Sequence, residues 1–254
     1  MDKTTEIING KLMKLFEEIQ YCENIKKYFE GKGKTACSKI ITTQEEKNFQ
    51  LPEPWNGDIE NAPILIISSN PSINEEELYP TIEWKEEERK DFYFNRFQGK
   101  WTKDEKYIKL KNGSYDKKWV RFWSSVKNRA KEILPKSYVT LKKDIALMEI
   151  VRCKSKNEIG VEEAVNNCSQ KFLNKTLSLS NSRVIICTGK KAEAMMKKFY
   201  NLEDKIYLED IVIAEKKRDL IFIPHSSSSK PRKLSILLTE NELERVKTKL
   251  KKLG

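Results

Sequence analysis

Two hydrophobic periods alternate along the chain. Over residues 5–31 the apolar positions Ile8, Leu12, Leu15, Phe16 and Ile19 recur every three or four residues and stop at Gly31-Lys-Gly33, which predicts an opening helix. The stretch LPEPWNGD (51–58) that follows combines two prolines with Asn-Gly and marks a turn. Then come four apolar runs too short for helices and rich in Ile and Val: APILII (62–67), DIALMEIV (144–151), SRVIICT (182–188) and DLIFIP (219–224). A fifth segment, IYLEDIVIAE (206–215), reads as an extra strand paired with the last. Helical spacing returns at 117–133, 161–178, 189–199 and 239–252, the last opened by the capping-box pattern Thr239-x-x-Glu242. Alternation of strand and helix predicts an α/β fold: a three-layer α-β-α sandwich around a mainly parallel four-stranded central sheet, forming a single domain. The segment 74–118 breaks the alternation. It is charged and carries Tyr79, Trp84, Phe92, Tyr93, Phe94, Phe97 and Trp101, so it reads as an insertion.

Ligands of a parallel α/β sheet bind where loops leave the carboxyl ends of its strands. Here those ends read Ser68-Ser69-Asn70-Pro71-Ser72, then Glu149 followed by Val151-Arg152-Cys153, then PHSSSSKPRK from Pro224 to Lys233. An amide, a carboxyl, the one histidine and a basic serine-rich loop are thereby expected along one edge of the sheet. With 49 Lys and Arg against 38 Asp and Glu, the net charge of +11 fits a polyanionic partner, or simply a solvated, lysine-rich surface. No apolar run approaches the roughly 18 residues of a membrane span, and MDKTTEIINGKL lacks the apolar core of a signal peptide, which points to a cytoplasmic protein. In that compartment the five cysteines are buried side chains or metal ligands rather than disulfides.

The strand ends resemble motifs of the uracil-DNA glycosylase superfamily, in order, over roughly residues 62–233. Ser-Ser-Asn-Pro-Ser is similar to its first Asn-Pro turn, and PHSSSSKPRK to its His-Pro-Ser loop. EIVRCKSKNEIGVEEAVNNC and RVIICTGKKA resemble segments of its iron-sulfur branch. The resemblance implies that Asn70 places the attacking water and that His225 stabilises the departing base. It implies that backbone amides from Asn70 to Ser72 and the hydroxyls of Ser226, Ser227, Ser228 and Ser229 hold flanking phosphates, with Ser69 and Pro71 of the turn also against the base or the DNA. Lys230, Arg232 and Lys233 would add electrostatic grip, and an aromatic side chain, for which Tyr79 and Phe94 are candidates, would stack on the base. DNA is then the partner, a monomer the expected state, and no catalytic metal is needed.

Several positions depart from the family pattern: Ser68 and Ser72 replace glycines, Ser226 replaces a proline, and Glu149 stands where the family's base-reading Asn falls. A carboxylate would face uracil O4 acceptor to acceptor. A protonated glutamate can instead donate to cytosine N3 while accepting from N4–H. The target implied is a modified cytosine, such as the glycosylated hydroxymethylcytosine of phage DNA. A uracil-DNA glycosylase of base-excision repair and a non-catalytic nucleic-acid reader are the alternatives, and Glu83-x-Lys85 prompts a weaker third, a metal-dependent nuclease. Cys153 and Cys168 fall where the iron-sulfur branch has cluster ligands, and with Cys22 and Cys37 they make the four thiols of a [4Fe–4S] cluster; unrelated reduced thiols and zinc remain open. Cys187 reads as a small buried hydrophobe.

Overall fold

The computed structural model describes residues 3–252, with side chains from Gly10, so that of Ile8 lies outside the described residues. In chain order the elements are α1 (Lys3–Gln20), α2 (Glu23–Phe29), α3 (Ser38–Ile41), β1 (Ile64–Ser68), α4 (Glu86–Phe94), β2 (Thr102–Lys103), β3 (Tyr107–Ile108), α5 (Arg121–Ile133) and β4 (Ile145–Glu149). Then follow α6 (Val161–Leu179), β5 (Val184–Thr188), α7 (Lys190–Tyr200), β6 (Tyr207–Ile213), β7 (Lys216–Ile223), α8 (Leu234–Leu237) and α9 (Glu240–Lys251).

The central sheet has five strands in the order β4-β1-β5-β7-β6. The four strands expected from the apolar runs are parallel, and β6 pairs antiparallel with β7, as its place beside the last run suggests. All five residues of β1, β4 and β5 are buried, which explains runs without polar alternation: helices cover both faces. Leu65, Ile67, Met148, Ile185 and Phe222 face Phe16, Ile19 and Phe172 of α1 and α6 on one side. Ile64, Ile66, Leu147, Ile186 and Ile221 face Trp123, Val126, Val246 and Leu250 of α5 and α9 on the other. The chain is thus a three-layer α-β-α sandwich.

The helix expected over 5–31 is two. Cys22 adopts an extended conformation (φ −50, ψ 126) between α1 and α2. No glycine or proline announces the break, because it is set by tertiary packing: Cys22 turns in beside Cys37, Cys153 and Cys168, and all four line one small cavity. The capping box of α9 forms as read, with Thr239 accepting from the Glu242 amide. In the 74–118 segment, Phe92, Tyr93, Phe97 and Trp101 are buried, so its aromatic run is core. The LPEPWNGD turn runs along the outer edge of β4, where Asn56 and Leu147 exchange two backbone hydrogen bonds of 2.8 Å.

Candidate active site

Parallel pairing in register brings the strand ends together. Ser68 of β1 is the partner of Glu149 of β4, and Thr188 of β5 that of Ile223 of β7, two residues before His225. With strands about 4.8 Å apart, the three steps from β4 to β7 span roughly 14 Å of backbone, which side chains and one heterocycle can fill. The space is a cavity of about 470 Å³, lined by Asn70, Glu149 and His225 together with Ser68, Ser69, Pro71 and Ser72. Its size is that of an ordinary small-molecule site.

The Asn70 turn is held from both sides. Beyond Ser68 the ladder continues into the loops, as Ile150 donates to Ser68 O and Val151 to Ser69 O (both 2.9 Å), and Ser155 donates to Pro71 O (3.0 Å). The Asn70 Nδ2 donates to Pro71 O at 3.1 Å, and its Oδ1 accepts from the Ser69 hydroxyl at 3.2 Å, so one lone pair of that oxygen remains free to hold a water. The same Ser69 hydroxyl lies 3.4 Å from Glu158 Oε1. Asn157 and Glu158 both adopt left-handed backbone (φ 52 and 59), strain of the kind that collects at functional sites.

Glu149 is buried. Its Oε1 accepts from the Ser68 hydroxyl at 3.3 Å, and its Oε2 has no partner. Burial, reinforced by the Glu53 carboxylate, raises its pKa to about 8 against the opposing pull of Arg152 and Ser68. At neutral pH the side chain is a carboxylic acid, able to donate and to accept.

His225 stands at the rim, with Phe122 stacked against it (6.2 Å between centroids, 19° between planes). The Ser227 backbone N–H donates to its Nδ1 at 3.3 Å, which places the ring proton on Nε2. Desolvation lowers its pKa and Arg232 adds to that, outweighing Glu158, so the imidazole is neutral at pH 7. Beneath it, Gly189 has φ +90, and a Cβ there would lie 3.3 Å from the His225 Cβ.

Sequence reasoning missed part of the wall. Glu53, Asn56, Glu77, Arg96 and Lys154 line the cavity, as do Trp119, Phe122 and Trp123. Glu53 accepts from Tyr79 Oη (3.0 Å) and from Asn56. Glu77 is ion-paired with Arg96 and, at 2.8 Å, with Lys154. Burial works against the Glu77 charge, yet the two cations outweigh it and hold its pKa below the usual range. Only a Glu and an Asn flanking Pro-Trp at 53–56 hinted at this wall; the 74–118 residues gave no periodic signal. The stacking candidates need correction. Tyr79 is buried in the core and bonded to Glu53 and Tyr93, and Phe94 packs on Phe16 and Trp55; neither lines the cavity. Among the loop residues, Ser226, Ser229, Lys230, Arg232 and Lys233 line an adjoining groove, whereas Ser227 and Ser228 fold back on His225.

A family model describing the uracil DNA glycosylase superfamily matches residues 54–243, about three quarters of the chain. The chain belongs to that superfamily. A search of curated proteins finds no match. Membership of the superfamily points to a DNA glycosylase, a hydrolase that binds DNA, and the parallel sheet with its strand-end cavity agrees. Among the described residues, no helix is long and apolar enough to cross a membrane.

Four of the five cysteines gather at one place. Cys22, Cys37, Cys153 and Cys168 are buried and line one cavity; Asn24 Nδ2 points at Cys37 Sγ (3.5 Å) and the Arg152 amide at Cys168 Sγ (3.4 Å). Among the described residues no three His, Cys, Asp or Glu close on a single ion.

Proposed function

We propose that the chain flips a modified cytosine out of DNA and hydrolyses its glycosidic bond, leaving an abasic site. The observation that carries this reading is Glu149, a buried carboxylic acid with a pKa of about 8 and a free Oε2, on the wall of the Asn70 and His225 cavity. Its O–H donates to cytosine N3 while its carbonyl accepts from N4–H; the same acid also pairs with uracil O4 and N3–H, so what favours cytosine is the proton that the acid gives to the poorer leaving group. As the bond breaks, the same proton offsets the charge that develops on a poorer leaving group than uracil. The neutral His225 donates from Nε2 to the departing base. Asn70 Oδ1 holds the water at the sugar, and Glu158, whose Oε1 lies 3.4 Å from the Ser69 hydroxyl, is the carboxylate on the cavity wall that accepts the water's proton. Ser69, Pro71 and Ser72 sit where a backbone phosphate passes.

The lining supports a substituted base. Charges at Glu77, Arg96 and Lys154 and hydroxyls at Ser68, Ser69 and Ser72 suit a polar, hydroxyl-bearing substituent of the kind found in phage DNA, and a role against phage follows from that reading. We place the chain in the iron-sulfur branch, with a [4Fe–4S] cluster on Cys22, Cys37, Cys153 and Cys168 that pins α2 and α3 to β4 and α6. A colourless, iron-free protein after anaerobic purification would remove the cluster alone.

Duplex and single-stranded oligonucleotides bearing uracil, cytosine, hydroxymethylcytosine or glucosyl-hydroxymethylcytosine, assayed for abasic sites, test the reading. Abasic sites at a modified cytosine, abolished in Asn70→Ala and sharply reduced in His225→Ala, are expected. Release of uracil alone contradicts it, and binding without turnover on every substrate makes the chain a reader.

A further inference from the structure

A second groove opens on the far side of Trp119. Of the five tryptophans Trp119 alone stands exposed, at 56%, and it lines both the base cavity and this groove. One wall is the outer face of α5, where Arg121, Ser124, Ser125, Asn128 and Arg129 follow the i, i+3, i+4 spacing that puts them side by side. The other wall is the loop from Ser226 to Lys233. The groove measures about 680 Å³, and no carboxylate lines it.

Its charge is unbalanced. Arg121, Arg129, Lys230, Arg232 and Lys233 meet here, and from Arg121 to Lys131 the helix carries no acidic residue at all. Arg129 is braced by Glu132 at 2.8 Å, yet its Nε has no partner. Burial disfavours its charged form, Glu132 opposes that, and the neighbouring Arg232 adds to the effect of burial, so Arg129 and Arg232 put two positive charges on the same groove. Clustered cations with interleaved hydroxyls and amides are the pattern that grips a phosphodiester backbone. From Arg121 to Arg129 the helix rises about 12 Å, which accommodates more than one phosphate.

Resting on the glycosylase reading, we propose that this groove holds the substrate strand next to the extruded nucleotide, unpaired, with its phosphates along α5 and the neighbouring base stacked on Trp119. One indole forms the partition between the two spaces, so adjacent nucleotides lie on either side of it. A base offers its face to an indole only when it has left the helical stack, so the enzyme prefers single-stranded DNA, and sequence around the target matters little because every base has a stacking face.

Fluorescence anisotropy of the full-length chain with a labelled single-stranded oligonucleotide, and with the duplex of the same sequence, tests this. Wild type should bind the single strand more tightly. Trp119→Ala, which alters an exposed side chain, should weaken single-strand binding about tenfold, and Arg121→Ala with Arg129→Ala should weaken it further and flatten its salt dependence. Circular dichroism melting of each variant confirms the fold, and Arg121→Ala alone serves if the double variant melts early. Equal affinity for both DNA forms, or unchanged single-strand binding in Trp119→Ala, overturns the groove assignment while leaving base excision intact. Failure of wild type to bind any DNA overturns both.

Discussion

At the scale of single residues the chemistry turns on two protons. Glu149 carries one up to a pH of about 8, so excision should decline as pH rises through that value. Glu149→Gln keeps a donor and an acceptor for cytosine but has no proton to give. Its kcat should fall about 100-fold with little change in KM, and the alkaline limb near pH 8 should vanish. A Gln variant that kept both full rate and the limb would remove Glu149 from the reaction. The same shift has a stability consequence. The unfolded chain loses this proton near 4.5 and the folded chain near 8, so the native state binds more protons in that window and stability falls as pH rises through it. Melting of Glu149→Gln should be flatter across the same range. His225 is displaced the other way, with its proton fixed on Nε2 by the Ser227 amide. The acid limb of the rate profile should therefore lie below the usual histidine value of 6.5, and it should be absent from the residual activity of His225→Ala.

Elements decide whether those side chains meet. At Gly189 the β5–α7 turn passes under His225 with φ +90; Gly189→Ala adds a Cβ 3.3 Å from the His225 Cβ and an unfavourable backbone angle. Unfolding should cost at least about 1 kcal/mol less, and activity should drop by more than that loss of folded protein explains. Thr239→Ala is the control outside the cavity lining. It breaks a capping box on α9 worth about 1 kcal/mol, should lower the Tm by about 2–4 °C, and should leave excision unchanged. These two sites differ in how legible they were. Thr239 and Glu242 announce themselves by local spacing, and the buried strands by unbroken runs such as VIIC, because both effects act over a few residues. The break at Cys22 and the wall formed by Glu53, Glu77, Arg96 and Lys154 depend on partners distant in the chain, and no period of 2 or 3.6 encodes them. Asn70 and His225 were readable because strand ends of a parallel sheet share one edge; Phe122, which stacks on His225, lies on α5, a helix whose sequence gives only its amphipathic period.

On the scale of the whole molecule, charge and cavity act together. A net charge of +11 draws the chain to DNA without choosing a base, and the groove beside α5 concentrates that charge at the mouth of the base cavity. Binding should weaken steeply with salt for any sequence, whereas the choice of base should not vary with salt, because it is made by the buried side chain of Glu149. The most direct measurement is mass spectrometry of the bases released when the protein is incubated with DNAs containing cytosine, uracil or glycosylated hydroxymethylcytosine, with Asn70→Ala alongside. The modified cytosine should appear free in solution with wild type only. Free uracil as the sole product, or the same release from Asn70→Ala, would contradict a cavity in which Asn70, Glu149 and His225 close on a cytosine.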